Sequence, residues 1–326
     1  MTKWYGLRTG TVRSLPLLFK AYRIFGTLKK SDMKQQVLMN RKYLEALTGY
    51  VFVLPDLLGL SLFLIIPAFF GLYLGLHEWT GIGTMRYVGL ANFKKIFKDV
   101  LFVNSLFTTF KLVVFFVPLN FLFGLGLALL VQRRTKIVGL FRTIYFAPVA
   151  ISAVSIGLIW KFMCQPKGVV NALLTAAGMA PQPLLGSTSQ ALFVLLTTML
   201  YQSAGYYMVI FIAGLNDIPQ ELYEAASIDG ATWFQRLRFV TLPLLKPVSL
   251  FVLVMSLLSG FQVFDQIQIL TGGGPFYATT TAVFYAYRMA FQFYQFGYAS
   301  AINFIVFLVQ LLISLMIFKT MREGRI

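Results

Sequence analysis

Glu224, Ala225 and Ala226, with Asp229 and Gly230 close behind, stand in a polar segment, YEAASIDGATWFQRLRFVTLPLLKP, between two long apolar runs. The chemistry open to these residues is contact with another surface. Pro219 suits the first turn of a helix, and Glu221 and Glu224 put negative charge at the positive end of its dipole. Ala225 and Ala226 have almost no side chain, so a partner can approach the backbone closely. Gly230 can take the left-handed conformation that ends a helix and turns the chain. A second helix, Ala231 to Val240, carries Trp233, Phe234, Leu237 and Val240 at i, i+1, i+4 and i+7 spacing, with Arg236 and Arg238 on other arcs. Pro243 and Pro247 then break the path. A connection between apolar runs needs only a few residues. This one, over thirty residues from 215 to 247, reads as a helix–turn–helix knob built for docking.

A second polar set lies inside the apolar runs. YQSAGYYMVI and SLLSGFQVFDQIQIL each place hydroxyls, amides and aromatic rings inside an apolar run. Hydroxyls, amides and aromatic rings at membrane depth are expensive when unpaired and normally face an interior cavity. Sugars suit such a lining, because rings meet C–H faces while amides and hydroxyls meet hydroxyl groups. The alternative is that these groups only bond neighbouring helices. Asp265 and Gln266 read as closer to the outer mouth, as gate or docking contacts. Asp56 is unusual at membrane depth, and Lys111 is placed to snorkel to the interface.

Catalytic and metal chemistry find no support. The chain has one cysteine, Cys164, and one histidine, His77, too few for a disulfide framework and a poor basis for a metal site. It has no G-x-x-x-x-G-K-[ST] phosphate loop, H-E-x-x-H or G-x-S-x-G, so ATP hydrolysis by that loop is excluded and no nucleophile constellation stands out. TGGGP is a weak phosphate signal and reads as a turn.

The elements that must hold these residues are membrane helices. The sequence is 58% hydrophobic and 12% charged over 326 residues, where a soluble domain has roughly a quarter charged. Six runs meet the requirement of about 20 apolar residues: about 48–76, 105–132, 139–163, 190–214, 248–270 and 299–319. Of the 28 Lys and Arg, 20 fall on one side of this topology: ten in the first tail, four at 133–142, three in 215–247 and three at the end. The positive-inside rule then puts both termini, and the 219–247 knob, in the cytoplasm. The net charge of +17 is therefore mostly topological, and nucleic acid is not an expected partner. A seventh span at 277–297 would place Arg288 near mid-membrane and send Lys319, Arg322 and Arg325 outside. An aromatic helix at the outer interface is expected there instead. Residues 1–46 form a basic tail and not a signal peptide, since the run Leu15 to Phe19 is short and holds Pro16. The tail is either an interfacial helix or a disordered segment that fixes orientation. Residues 47–319 make the membrane domain, and 320–326 a short inner tail.

The spacing E-A-A, Gly six residues after the Glu, then an aliphatic-x-Leu-Pro, resembles the EAA loop of bacterial ABC-importer permeases. Glu224, Ala225, Ala226, Gly230, Val240, Leu242 and Pro243 occupy its positions, with Val240 where Ile is usual, and Asp229-Gly230-Ala231 fits the fuller form. VGLANFKKIF, FRTIYFAPVAISAVSIGLIWKFM and LTGGGPFYATTT are similar to the carbohydrate branch, and the last to its MalF-type subunits. The resemblance covers about residues 45–320 and lacks the large periplasmic insert of the maltose permease. It implies an all-α type I importer permease in a bacterial inner membrane, with a MalG-type second permease, two cytoplasmic ATPases and an external solute-binding protein. ATP and Mg would sit on the ATPases, and this chain would bind no cofactor and catalyse no reaction. The knob would seat in an ATPase groove, with Glu224 as anchor and Gly230 as the turn of a lever. Alignment with that family puts Tyr207, Ser256 and Gly260 at sugar-lining positions, with Ser203, Tyr206, Gln262 and Val263 beside or near them. A permease for a non-sugar solute is the alternative. A stand-alone secondary transporter would call for inverted repeats or intramembrane carboxylates, for which only Asp56 and Asp265 are candidates.

Overall fold

The computed structural model describes residues 46–132 and 136–323; the basic tail lies outside them. The chain divides into two units at Ala68 and Phe69. Helix α1, Ala46–Gly75, runs through that division and contains a π-helical stretch at Ser61–Ile65. Asp56 lies in the part belonging to the first unit.

In the second unit a short hairpin pairs His77–Glu78 with Arg86–Tyr87. Helix α2 (Ala91–Ile96) leads to α3 (Val100–Leu130), whose N-cap Asp99 accepts from the N–H groups of Leu101 and Phe102 at 3.0 and 3.2 Å. That cap starts the helix five residues before the expected boundary at 105. The next elements are α4 (Lys136–Phe146), a 3₁₀ turn (Ala147–Ala150), α5 (Ala153–Met163), α6 (Val169–Ala176) and α7 (Ala191–Asn216). After the knob come α10 (Lys246–Phe261), α11 (Asp265–Leu270), α12 (Ala282–Phe291) and α13 (Phe296–Glu323). The knob's own helices are α8 (Gln220–Ile228) and α9 (Trp233–Arg236).

Among the described residues five helices are long and apolar enough to cross a membrane, or six when a bent pair counts as one span. That pair falls on the third expected span, 139–163, and is bent. Ile137–Ala150 and Ala153–Met163 meet at 99°. The cause is local. Pro148 brings no N–H to the helical ladder, Ile151 is extended at φ −91° and ψ 138°, and Ser152 caps a fresh helix by accepting from Ser155 N at 3.2 Å.

Helix α3 is the spine. Its residues enter three apolar clusters: Val113 packs with Phe261, Tyr285 and Ile302; Leu125 with Tyr207, Phe211 and Val252; Leu112 and Phe116 with Leu195, Met199 and Ile267. Its largest helical neighbour is α7. Small residues allow helices in lipid to approach this way. Gly205 of α7 sits so close to the bend that a Cβ there would lie 2.8 Å from the Tyr145 carbonyl carbon and 2.9 Å from Phe146 Cα.

Helix α12 covers only ten residues, about 15 Å at 1.5 Å per residue, half of a hydrocarbon core of roughly 30 Å. It is too short for a seventh span. Its Phe284, Tyr285, Ala286 and Met289 are buried against protein. The turn before it is ordered by threonines: Thr279 donates to Gly274 O at 2.8 Å, Thr280 to Gly273 O at 2.9 Å, and Ala282 N to Thr109 Oγ1 of α3 at 2.9 Å. Asp99 then ties three helices at one end. Its Oδ2 accepts from Tyr285 OH at 2.7 Å and Tyr298 OH at 2.6 Å, while the Lys95 ammonium stands 4.4 Å over the Tyr298 ring.

Candidate functional site

The knob is rigid for reasons legible atom by atom. Helix α8 ends in paired bonds, Gly230 N to Ser227 O at 3.1 Å and Ala231 N to Ala226 O at 2.9 Å, the Schellman arrangement that satisfies the last carbonyls. It requires the left-handed backbone that Gly230 adopts at φ +75°. Two residues on, Thr232 and Gln235 form a capping box: Thr232 N donates to Gln235 Oε1 at 2.7 Å and Gln235 N to Thr232 Oγ1 at 3.4 Å. The box starts α9, which passes into a π-helical stretch at Leu237–Thr241. Two bonds brace the halves, Arg236 Nη1 to Ser227 Oγ at 2.9 Å and the Tyr223 and Thr241 hydroxyls at 3.0 Å.

Glu224, Ala225, Asp229 and Gly230 are exposed, while Ala226 is half-buried. Gln220 Nε2 donates to Glu224 Oε1 at 3.0 Å, which holds the carboxylate on the outer face of α8. Ile228 is 87% exposed, and Trp233, Phe234 and Phe239 each more than half. Four large apolar side chains around a stiff turn form a surface suited to burial against a partner.

The second set falls into two environments. Tyr207, Ser256 and Gly260 are buried between helices of this chain. Tyr207 packs with Leu125 and Phe211, and a Cβ at Gly260 would meet Val113 Cγ2 at 3.0 Å. Asn120, fully buried on α3, donates to Ser256 Oγ at 3.3 Å and accepts from Ser203 Oγ at 2.9 Å. Ser203, Gln262 and Val263 instead line a cavity of about 280 Å³ together with Phe116, Met199, Gln202, Ser259, Phe264, Asp265 and Gln266. It opens where the fifth span breaks between Phe261 and Asp265. Tyr206, 39% exposed, is not among the lining residues and stacks edge-on to Tyr207 at 5.2 Å.

Gln202 is the residue that sequence reasoning passed over. Its Nε2 donates to Ile151 O at 3.0 Å, at the bend of the third span, and its Oε1 accepts from Gln266 Nε2 at 2.7 Å. One side chain thus joins the bend, α7 and α11. Its position in YQSAGYYMVI, beside Ser203, was the available signal. Asp265 and Gln266, expected nearer the outer mouth, line the same cavity as Ser203.

A bundle of apolar helices, a polar cavity at a helix break and a stiff, exposed knob suit a transport permease subunit. The chain belongs to the family described as binding-protein-dependent transport system inner membrane component, whose model matches residues 120–326. It is 34% identical over 289 residues to the trehalose/maltose transport system permease protein MalF of Thermococcus litoralis, covering 87% of this chain and 97% of that one. It is 32% identical over 284 residues to the lactose transport system permease protein LacF of Rhizobium radiobacter, covering 85% and 95%. Among solved structures it resembles the bacterial alginate ABC transporter in complex with an alginate pentasaccharide-bound periplasmic protein, at TM-score 0.72 and 25% identity over 88% of this chain and 94% of that one.

Proposed function

We propose that this chain forms half of the translocation pathway of an ATP-driven importer for a sugar or oligosaccharide. Relatives named for trehalose/maltose and lactose support the substrate class, and the cavity's amides, hydroxyls and rings suit it. A MalG-type permease supplies the other half, and an external solute-binding protein delivers the solute. Two cytoplasmic ATPases hold ATP and Mg and carry out the hydrolysis, so this chain catalyses no reaction. Both termini and the knob face the cytoplasm.

The observation that carries the reading is the doubly capped knob at Gly230. Closure of the ATPase pair can shift the spans between inward- and outward-facing states only if the connecting part moves as a body, since coupling biases a two-state element. Glu224 and Asp229 present charge to the groove, and Ile228 and Trp233 present apolar surface. Gly230→Pro removes both the N–H bonded to Ser227 and the positive φ, and Glu224→Lys reverses the anchor's charge. Each is expected to abolish ATP-dependent uptake while the protein still reaches the membrane. Full uptake and normal co-purification of the ATPase by both variants would overturn the assignment.

A further inference from the structure

The cavity at the helix break has a charge as well as a shape. Asp265 is exposed and lines it, and its carboxylate makes no hydrogen bond or ion pair among the described residues. Every other polar lining group is neutral: the amides of Gln202, Gln262 and Gln266 and the hydroxyls of Ser203 and Ser259. Among the described residues no Lys or Arg lines the cavity. The nearest cation along α3, Lys111, stands 4.7 Å over the Phe107 ring, about 140° around the helix from the lining residue Phe116 at 100° per residue.

We propose that this cavity discriminates by charge, so that the solute carried is an uncharged saccharide and uronates and phosphorylated sugars are disfavoured. The inference rests on the importer reading given above. Gln202 already spends its amide on Ile151 O and Gln266, and Ser203 its proton on Asn120 and Met199 O. The exposed Gln262 amide and the remaining acceptor lone pairs of Ser203 are left to meet sugar hydroxyls, which both donate and accept. A solute carboxylate or phosphate brings only acceptors near Asp265, and an anion without a partner in a partly desolvated groove is disfavoured. Like charges sharing a wet groove of this size repel enough to separate anion from cation by roughly tenfold.

The charge is measured first, in the complete importer, without reference to any solute. On a Cys164→Ser background, Gln262→Cys and, independently, Ser259→Cys are labelled with cationic aminoethyl and anionic sulfonatoethyl methanethiosulfonate. The ratio of the two rates is referred to that for mercaptoethanol. The cationic reagent is expected to be favoured about tenfold, and added Asp265→Asn is expected to bring the ratio within about twofold of the free thiol. A ratio at or below the free-thiol value at both positions, or one indifferent to Asp265→Asn, overturns the proposal. In proteoliposomes, maltotriose is expected to enter at least tenfold faster than trigalacturonate, and equal rates, zero included, also overturn it. Failure of the importer reading looks different: ATPases that neither co-purify with the chain nor depend on the knob.

Discussion

Gly205 tests the packing of α7 against the bend of the third span. A methyl group there would sit 2.8 Å from the Tyr145 carbonyl carbon and 2.9 Å from Phe146 Cα, and closer still to the Tyr145 oxygen. All three are backbone atoms, so no rotamer change relieves the overlap, and Gly205→Ala must push α7 off the bend by about 1 Å to restore van der Waals distance. Overpacking of this kind costs about 1–3 kcal/mol. The same displacement stretches the 3.0 Å bond from Gln202 Nε2 to Ile151 O beyond hydrogen-bonding range, and a net hydrogen bond is worth about 1 kcal/mol. Together these give about 2–4 kcal/mol, or a fall in Tm of about 4–8 °C at roughly 2 °C per kcal/mol. The assay is thermal unfolding of the detergent-purified importer, with Gly126→Ala as control because a Cβ there meets nothing within 4 Å. A Gly205→Ala protein that melts within 1 °C of the control refutes the close approach at the bend.

Three further outcomes follow from named contacts. Asp99 titrates against two opposed effects: burial raises its pKa, but hydrogen bonds from Tyr298, Tyr285, and the Phe102 and Leu101 N–H groups outweigh it and hold the carboxyl below its ordinary value. Its contribution to stability is therefore complete above the unfolded pKa of about 3.9 and is lost as pH falls through the lower folded value; acid unfolding followed by circular dichroism should show a shallower acid limb for Asp99→Asn. Asn120→Leu leaves buried Ser256 Oγ without its side-chain partner, at a cost of about 1–3 kcal/mol, checked by the same melting assay. Thr232→Ala removes one half of the capping box and costs about 1 kcal/mol, which hydrogen exchange should register as faster amide exchange at residues 233–236 while the spans are unchanged.

Much of this was legible locally. A membrane helix is announced by an unbroken apolar run, and the knob by helix formers, two small residues and a glycine at fixed intervals, because those signals act between residues a few positions apart. Gly230 takes the positive φ expected of it, and 220–228 and 233–236 are helical. The third span shows the limit. Its residues are mostly apolar, and hydropathy reports solvent preference without direction, so the 99° bend left only Pro148 and Ser152 as traces. The polar residues show another. Tyr207 and Ser203 sit four positions apart on one helix, yet packing against α3 buries the first, while the break in the fifth span leaves the second beside a cavity.

The order of apolar and polar residues along the chain was enough to announce a membrane bundle and a helical polar knob between two of its spans, since these follow from composition and short-range spacing. Only the folded arrangement decided which polar groups share one space. Gln266 meets Gln202 across 64 positions, and Tyr285 and Tyr298 reach Asp99 across 186 and 199. Such pairings depend on how helices cross and where they break, and no local preference encodes them.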